Sequence, residues 1–323
     1  MRKFIWGLVL VVVMALLALL FIPMGIPTIP PPRETPLTFT EALRAFDGYQ
    51  QQDASRLNPV CEPVILHHGA PTPRVYVLLH GLSNCPAQFR RIAEILHAKG
   101  HTVIIPRMPH HGLADRLNED YGRLTLTELA QWLGGNLEIA RGLGRETLVA
   151  GLSVSGISAL WIAAERPEVS RVISIAPFFA PHKLPVALDR PLGQLVSRLP
   201  NVFIWWNPIK KQDNPGPPHA YPRFPTRVVG QFMVLGATLR DRLANQPPAV
   251  KWIRLVMSDA DFAISHQAPR LYARDLKRGP KVDFQQEWIP REEQVPHDMV
   301  DPTQPNQRLE FSEPLLLRLL EEP

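Results

Sequence analysis

The chain has 323 residues, 45% of them hydrophobic, which is enough apolar material for one large α/β domain or for two small domains with packed cores. Its formal net charge is +5, and Arg2 and Lys3 supply two of those charges, so the rest of the chain is too weakly basic to indicate a nucleic-acid partner. The composition therefore excludes a largely disordered chain and argues against nucleic-acid binding.

The N-terminus predicts a membrane-inserting segment. Arg2 and Lys3 precede an uncharged run from Phe4 to Ile22, which as a helix would span roughly 28 Å, close to the ~30 Å thickness of the hydrocarbon layer. No A-x-A cleavage site follows, and no cysteine lies there for lipid attachment, which favours an uncleaved anchor over a signal peptide. Because basic residues precede the span, we expect residues 1–22 to anchor the protein with its domain on the periplasmic side of a bacterial inner membrane. Secretion after signal cleavage is the alternative.

A spacer and a candidate disulfide follow this segment. Residues 23–36 contain six prolines and predict a stiff, extended linker to a domain over residues 37–323. The two cysteines, Cys61 and Cys85, indicate a disulfide in an exported domain, worth on the order of 3 kcal/mol; two unrelated buried thiols are the alternative. No His or Cys spacing suggests a zinc site.

From Cys61 onward, short β-branched runs alternate with amphipathic helical runs. The predicted strands cover residues 64–67, 74–79, 101–105, 146–150, 170–176, 250–257 and 282–289. The predicted helices cover residues 86–100, 125–141, 154–166, 269–277 and 306–320. This alternation is typical of an α/β fold with a mostly parallel, doubly wound sheet.

The alternation stops over residues 177–248. This stretch is rich in proline and aromatic residues and shows no clear strand. An insertion of that length at the ends of strands predicts a cap that covers an apolar site. The alternative is a loosely packed surface excursion.

The run GLSVSG, residues 151–156, lies between a predicted buried strand and a predicted helix. A nucleophilic serine at such a strand-to-helix turn adopts a strained backbone with positive φ, so the residues two before and two after it must be small. Gly151 and Ser155 meet this requirement, which makes Ser153 the candidate nucleophile. An ordinary Gly/Ser-rich turn is the alternative.

A serine hydroxyl needs a base to take its proton and an acid to orient that base. The loop after the predicted strand 250–257 offers Asp259 and Asp261, and the loop after strand 282–289 offers His297. Both loops follow the carboxyl ends of strands, where α/β sheets bind their ligands.

Five motifs resemble those of the α/β-hydrolase superfamily, and within it bacterial carboxylesterases and monoacylglycerol-lipase-like enzymes. They are LLHGLS at residues 78–83, PRMPHHG at 106–112, GLSVSG, SDADFAI and VPHD. The resemblance covers the chain from Val75 to its C-terminus. It implies an α/β-hydrolase fold and a triad of Ser153, His297 and Asp261, with Asp259 as the alternative acid.

The resemblance also assigns the oxyanion hole to the backbone amides of Leu82 and Val154. His80 is expected to hydrogen-bond within its loop, and His111 to have a structural or substrate-contacting role. The sequence departs from the family at Ser155, where glycine is commoner.

The resemblance implies a serine hydrolase that cleaves carboxylic esters, such as acylglycerols or other apolar acyl esters, without a metal or organic cofactor. Two alternatives stay open. The same triad could cleave amides, thioesters or C–C bonds, because a fold does not fix the substrate. The domain could instead be a catalytically silent, membrane-tethered binding protein.

Overall fold

The computed structural model describes residues 4–7, 10–11, 14, 18, 20, 22–50, 54–243, 245–279 and 282–322. Of the 19 residues in the predicted membrane segment from Phe4 to Ile22, nine lie outside the described residues. Within the described parts of the chain, we find no helix with both the length and the apolar character needed to cross a bilayer.

Seven strands form one sheet, and two more form a small ribbon. The strands are β1 Val64–Leu66, β2 Thr72–Leu79, β3 Thr102–Ile105, β4 Gly144–Leu152, β5 Val169–Ile175, β6 Phe203–Trp205, β7 Arg223–Pro225, β8 Trp252–Ser258 and β9 Asp283–Ile289. The sheet order is β1-β3-β2-β4-β5-β8-β9; β1 runs antiparallel to β3, and the other neighbouring pairs are parallel. The prediction of a mostly parallel sheet is confirmed.

Helices cover this sheet. They are α1 Phe39–Gln50, α2 Arg90–Ala98, α3 Leu126–Leu143, α4 Val154–Glu165, α5 Asp189–Arg198, α6 Thr226–Leu243, α7 Gln267–Arg278 and α8 Leu309–Glu321. Thr125 begins α3 with a capping box in which its side chain accepts from the Glu128 amide, as the predicted start at residue 125 requires. Helix α2 is joined to α8 by ion pairs of Arg91 with Glu313 and of Lys99 with Glu321. Helix α4 packs on β4 and β5.

The register of the strands brings the motif loops together. Leu79 at the end of β2 pairs with Gly151 near the end of β4, and Ser258 at the end of β8 pairs with Ile289 at the end of β9. Because neighbouring parallel strands end at the same edge, the loops after β2, β4, β8 and β9 share one edge of the sheet.

The predicted absence of strands between residues 177 and 248 is wrong at two places. Strands β6 and β7 form an antiparallel ribbon in which Phe203 pairs with Pro225. Each strand has only three residues, which is too short to give a recognisable alternation, and a proline lies inside one of them. Helix α5 packs on α6, and α6 in turn packs on α4 and α7.

Candidate active site

Ser153 occupies a strained turn between β4 and α4. Its φ is 62° and its ψ is −119°, a conformation that L-residues rarely adopt. A Cβ atom on Gly151 would lie 2.1 Å from the Ser155 carbonyl oxygen, and one on Gly156 would lie 2.8 Å from the Ile175 carbonyl oxygen. The turn therefore requires glycine at both positions; the requirement at Gly151 was predicted from the motif, and the requirement at Gly156 was not.

Asp261 and His297 come together across two loops. His297 Nδ1 lies 2.6 Å from Asp261 Oδ2, and the Ala263 amide donates to Asp261 Oδ1 at 2.8 Å. Burial opposes the charge on Asp261, but the charge and hydrogen bond of His297 outweigh it and lower the pKa of Asp261. In the neutral ring, the N–H group at Nδ1 donates a hydrogen bond to this carboxylate. Nε2 then carries no proton and is able to act as a base.

The pKa of His297 moves upward. Burial alone would lower it, but the charge and hydrogen bond of Asp261, with a further contribution from Asp298, raise the pKa above its usual value. The same interactions stabilise the imidazolium form of His297.

Asp259, the alternative acid, has other partners. Its Oδ1 accepts a hydrogen bond from Arg270 Nη2 at 2.8 Å, and its amide donates to the Ile289 carbonyl oxygen at 3.0 Å. Its side chain is 37% exposed, whereas the side chain of Asp261 is fully buried. The structure thus brings Asp261, and not Asp259, to the imidazole of His297.

The loop after β2 is held by two buried histidines. His80 Nδ1 donates to the Gly81 carbonyl oxygen at 2.9 Å, and His80 Nε2 accepts from the Met108 amide at 3.0 Å. This pair fixes one neutral tautomer, and burial lowers the pKa of His80 to about 3. His111 Nε2 lies 2.7 Å from the Leu82 carbonyl oxygen, and burial lowers its pKa to about 4. Both histidines hold the backbone of this loop.

Leu82 and Val154 present backbone amides beside Ser153. Leu82 N–H has no acceptor among the described residues. Val154 is the first residue of α4, so its N–H has no intrahelical acceptor. Backbone N–H groups without an acceptor are the kind of donor that a developing oxyanion requires.

A cavity of about 420 Å³ contains these groups. Ser153, His297, Leu82 and Val154 all line it. Its apolar walls include Leu152, Phe178, Trp206, Val229 and Phe262. Trp206, Pro217 and Tyr221 lie in the segment between α5 and β7, so the segment predicted as a cap supplies part of the wall.

Cys61 and Cys85 form a disulfide with a Cα–Cα distance of 5.3 Å. Cys85 lies four positions after Gly81, so the bridge ties the loop after β2 to the turn that precedes β1. Across the described residues, no group of three or more His, Cys, Asp or Glu side chains is arranged to hold a metal ion.

Among the polar side chains that line the cavity, three that sequence reasoning missed belong to one hydrogen-bond network. They are Asn84, Gln88 and Asp298. Asn84 and Gln88 belong to no catalytic motif, and a single sequence carries no signal for them. Asp298 adjoins His297, and that adjacency was the one available hint.

The family of this chain follows from its sequence as a whole. A model of the Alpha/beta hydrolase family matches residues 76–308, which is well over half of the chain. The chain therefore belongs to the alpha/beta hydrolase family.

Distant similarity extends to monoacylglycerol lipases. A thermostable monoacylglycerol lipase from Bacillus sp. (strain H-257) is 27% identical over 120 residues. That match covers 35% of this chain and 43% of the lipase, so the chain spans less than half the length of this curated relative.

Solved structures share the fold. A soluble variant of monoglyceride lipase from Saccharomyces cerevisiae, in complex with a substrate analogue, has a TM-score of 0.61 at 16% identity, covering 80% of this chain and 91% of its own. The monoacylglycerol lipase of Paleococcus ferrophilus has a TM-score of 0.57 at 19% identity, covering 81% and 98%. A structure of the metagenome-derived lipolytic enzymes LipS and LipT has a TM-score of 0.57 at 18% identity, covering 83% and 100%. At these identities the likeness concerns the fold.

Proposed function

We propose that the protein is a serine esterase that hydrolyses carboxylic esters through Ser153, His297 and Asp261. The observation that carries this proposal is the 2.6 Å contact between His297 Nδ1 and Asp261 Oδ2, with His297 lining the same cavity as the strained Ser153. Such a set of nucleophile, base and orienting acid is what activates a serine hydroxyl.

The reaction proceeds by acyl transfer. The Ser153 hydroxyl oxygen attacks the ester carbonyl carbon while His297 Nε2 takes the hydroxyl proton. The amides of Leu82 and Val154 donate to the carbonyl oxygen as it becomes negative, and Asp261 stabilises the imidazolium. The alcohol then leaves with the proton from His297. Water attacks the acyl-enzyme in the same way, which releases the acid and restores Ser153.

We assign apolar acyl esters, including acylglycerols, as the substrate class. The apolar cavity walls described above suit an acyl chain. The distant monoacylglycerol lipase relative supports the same class by analogy. Hydrolysis rates should be compared for an ester, a thioester and an anilide that carry the same acyl chain. The comparison separates ester cleavage from the other reactions of such a triad.

The test compares Ser153→Ala with Ser158→Ala on p-nitrophenyl esters of increasing chain length. Ser158 is buried in α4, where its hydroxyl donates to the Val154 carbonyl oxygen, and it does not line the cavity. We expect Ser153→Ala to lose roughly a thousandfold or more in kcat, since the nucleophile is gone, and Ser158→Ala to stay within a few fold of wild type. Equal activity of the two variants would contradict the proposal.

We also propose that residues 1–22 anchor the protein in the membrane and that the catalytic domain is exported. The disulfide between Cys61 and Cys85 supports an oxidising compartment. When cells that express the full chain are fractionated, we expect the protein to stay in the membrane fraction after carbonate extraction. We also expect no reactive thiol when the protein is denatured without a reductant. Recovery in the cytoplasmic fraction with two reactive thiols would contradict this placement.

A further inference from the structure

A buried amide side chain connects the loop after β2 with the loop that carries His297. Gln88 lies in the 3-10 turn Pro86–Phe89 and is 2% exposed. Its Oε1 accepts a hydrogen bond from the Gly81 amide at 2.8 Å, and its Nε2 donates to Asp298 Oδ2 at 2.8 Å. Asp298 directly follows His297.

The loop after β2, residues 80–85, is called the oxyanion loop below. Its first peptide unit forms hydrogen bonds through both its carbonyl oxygen and its N–H group. In the peptide that joins His80 to Gly81, the His80 carbonyl oxygen accepts from Ser155 Oγ at 2.5 Å, and the Gly81 N–H donates to Gln88. A planar peptide whose oxygen and N–H are both bonded cannot rotate without losing one bond. Gln88 supplies one of the two.

The next peptide unit joins the first at the Gly81 Cα and is held by hydrogen bonds of its own. It contains the Gly81 carbonyl oxygen, which accepts from the Asn84 amide at 3.1 Å and from His80 Nδ1 at 2.9 Å. Because the peptide is trans, the Leu82 N–H then points away from those partners. Gly81 lacks a Cβ and restricts its own φ and ψ little, so these hydrogen bonds set the direction of the Leu82 N–H.

The carboxylate that accepts from Gln88 Nε2 is itself held by several hydrogen bonds. Asp298 Oδ2 also accepts from Asn84 Nδ2 at 3.1 Å, and its Oδ1 accepts from the amides of Val300 at 3.3 Å and Asp301 at 3.1 Å. All of these groups are donors, so the carboxylate form of Asp298 satisfies them. Burial and the nearby Asp301 carboxylate raise the pKa of Asp298.

The cap segment joins the same network. His219 Nε2 lies 2.9 Å from Asp301 Oδ2, which also lies 3.4 Å from Asn84 Nδ2. Thr303 donates to Asp301 Oδ1 through both its amide and its hydroxyl. His219, Asn84 and Asp301 are each at most 5% exposed. The charged and titratable groups that act on Asp298 are Asp301 and His297, and His219 joins the network through Asp301.

We propose that Gln88 is a positioning residue that ties the oxyanion loop to the His297 loop, so that the Leu82 amide and the imidazole are held in one arrangement. This rests on the proposed serine esterase function. Gln88 acts through the Gly81 and Leu82 peptides and takes no part in bond making. Its loss should therefore weaken binding of the transition state more than binding of the ester.

The first test replaces Gln88 by Met, which keeps the length of the side chain and removes both hydrogen bonds. The matched control is Gln231→Met. Gln231 also makes two hydrogen bonds through its side-chain amide, in this case both to backbone groups, the Leu126 amide and the Leu124 carbonyl oxygen, and it lies outside the cavity. We expect Gln88→Met to lower kcat per fluorophosphonate-titrated site roughly 10- to 100-fold with KM changed less than about threefold. The Ki of a trifluoromethyl ketone analogue should rise by a similar factor.

The second test uses Gln88→Glu. It keeps the proposal testable even if the Gln88→Met variant does not fold. When the introduced carboxyl group is protonated, it accepts from Gly81 and donates to Asp298 as the native amide does, but two carboxylates at this distance repel each other. The kcat of Gln88→Glu relative to wild type should therefore fall as pH rises, whereas the ratio for Gln88→Met should stay constant. A residue with a purely structural role would give pH-independent ratios.

The proposal is overturned if Gln88→Met and Gln88→Glu match Gln231→Met in kcat, KM and inhibitor Ki at every pH. Failure of the esterase proposal has a different signature, because Ser153→Ala would then retain wild-type ester hydrolysis. The two failures are therefore distinguishable in one set of assays.

Discussion

Ser153 shows how much a short motif can predict when its reason is steric. Small residues at 151 and 155 were expected because the elbow leaves no space, and a Cβ at Gly151 would indeed meet the Ser155 carbonyl oxygen at 2.1 Å. Asp261 and Asp259 were harder to separate. They lie two positions apart in one loop, and only the fold shows that Arg270 pairs with Asp259 while His297 pairs with Asp261.

Gln88 and Asn84 could not be predicted from the sequence. Their importance comes from hydrogen bonds to Asp298, more than two hundred positions away in the chain. Side-chain amides at a turn give no periodic signal, and their partners are defined only after the sheet has formed.

Asp298→Asn should shift the pH dependence of the enzyme. The Asp298 charge contributes to the raised pKa of His297, so its removal should lower that pKa. His297 must be neutral to act as a base, and the acidic limb of kcat/KM should therefore move to lower pH. The measurement is the pH profile of kcat/KM on one p-nitrophenyl ester.

Asp259→Asn is the matched control, because this carboxylate pairs with Arg270. Its profile should coincide with that of wild type. The acidic limb of the kcat/KM profile could instead stay in place for Asp298→Asn, or move only for Asp259→Asn. Either result would show that the Asp298 charge does not raise the pKa of His297.

At the scale of elements, the predicted strands and helices lie close to observed elements, but helices α1, α5 and α6 were not predicted. The strand predicted at residues 146–150 is β4 Gly144–Leu152, and the helix predicted at 154–166 is α4 Val154–Glu165. Both contain long buried stretches, from Thr147 to Leu152 in β4 and from Val154 to Ala163 in α4. Strands β6 and β7 were missed because each has three residues, so their pairing depends on contacts made within the folded segment.

The disulfide gives a prediction at this scale. Replacing both Cys61 and Cys85 by Ser should lower the free energy of unfolding by about 3 kcal/mol, since the bridge closes a loop between positions 24 apart. The kcat should fall as well, because Cys85 ends the segment that carries the Leu82 amide. Urea unfolding and ester hydrolysis measure the two effects.

Reduction of the wild-type protein provides the control. Reduced wild type should match the double variant in both assays, and the reductant should not affect the variant. Unchanged stability and kcat after reduction would mean that the bridge does not restrain the oxyanion loop.

For the whole molecule, the parallel sheet explains why the loops that carry residues 153, 261 and 297 lie at one edge. They follow β4, β8 and β9, whose carboxyl ends lie at one edge, although β5 and the segment over residues 177–248 separate β4 from β8 in the chain. The order of the motifs along the sequence predicted this placement. The extent of the cavity and the contribution of Trp206 and Tyr221 to it depend on packing that the sequence does not reveal.

The rate and site of fluorophosphonate labelling test directly whether Ser153 is the nucleophile. We expect one adduct per chain, mapped by peptide mass spectrometry to Ser153. We also expect a labelling rate at least roughly a hundredfold lower for His297→Gln, because the hydroxyl then lacks its base. An unlabelled wild-type protein, an adduct on another residue, or equal rates for wild type and His297→Gln would contradict this assignment.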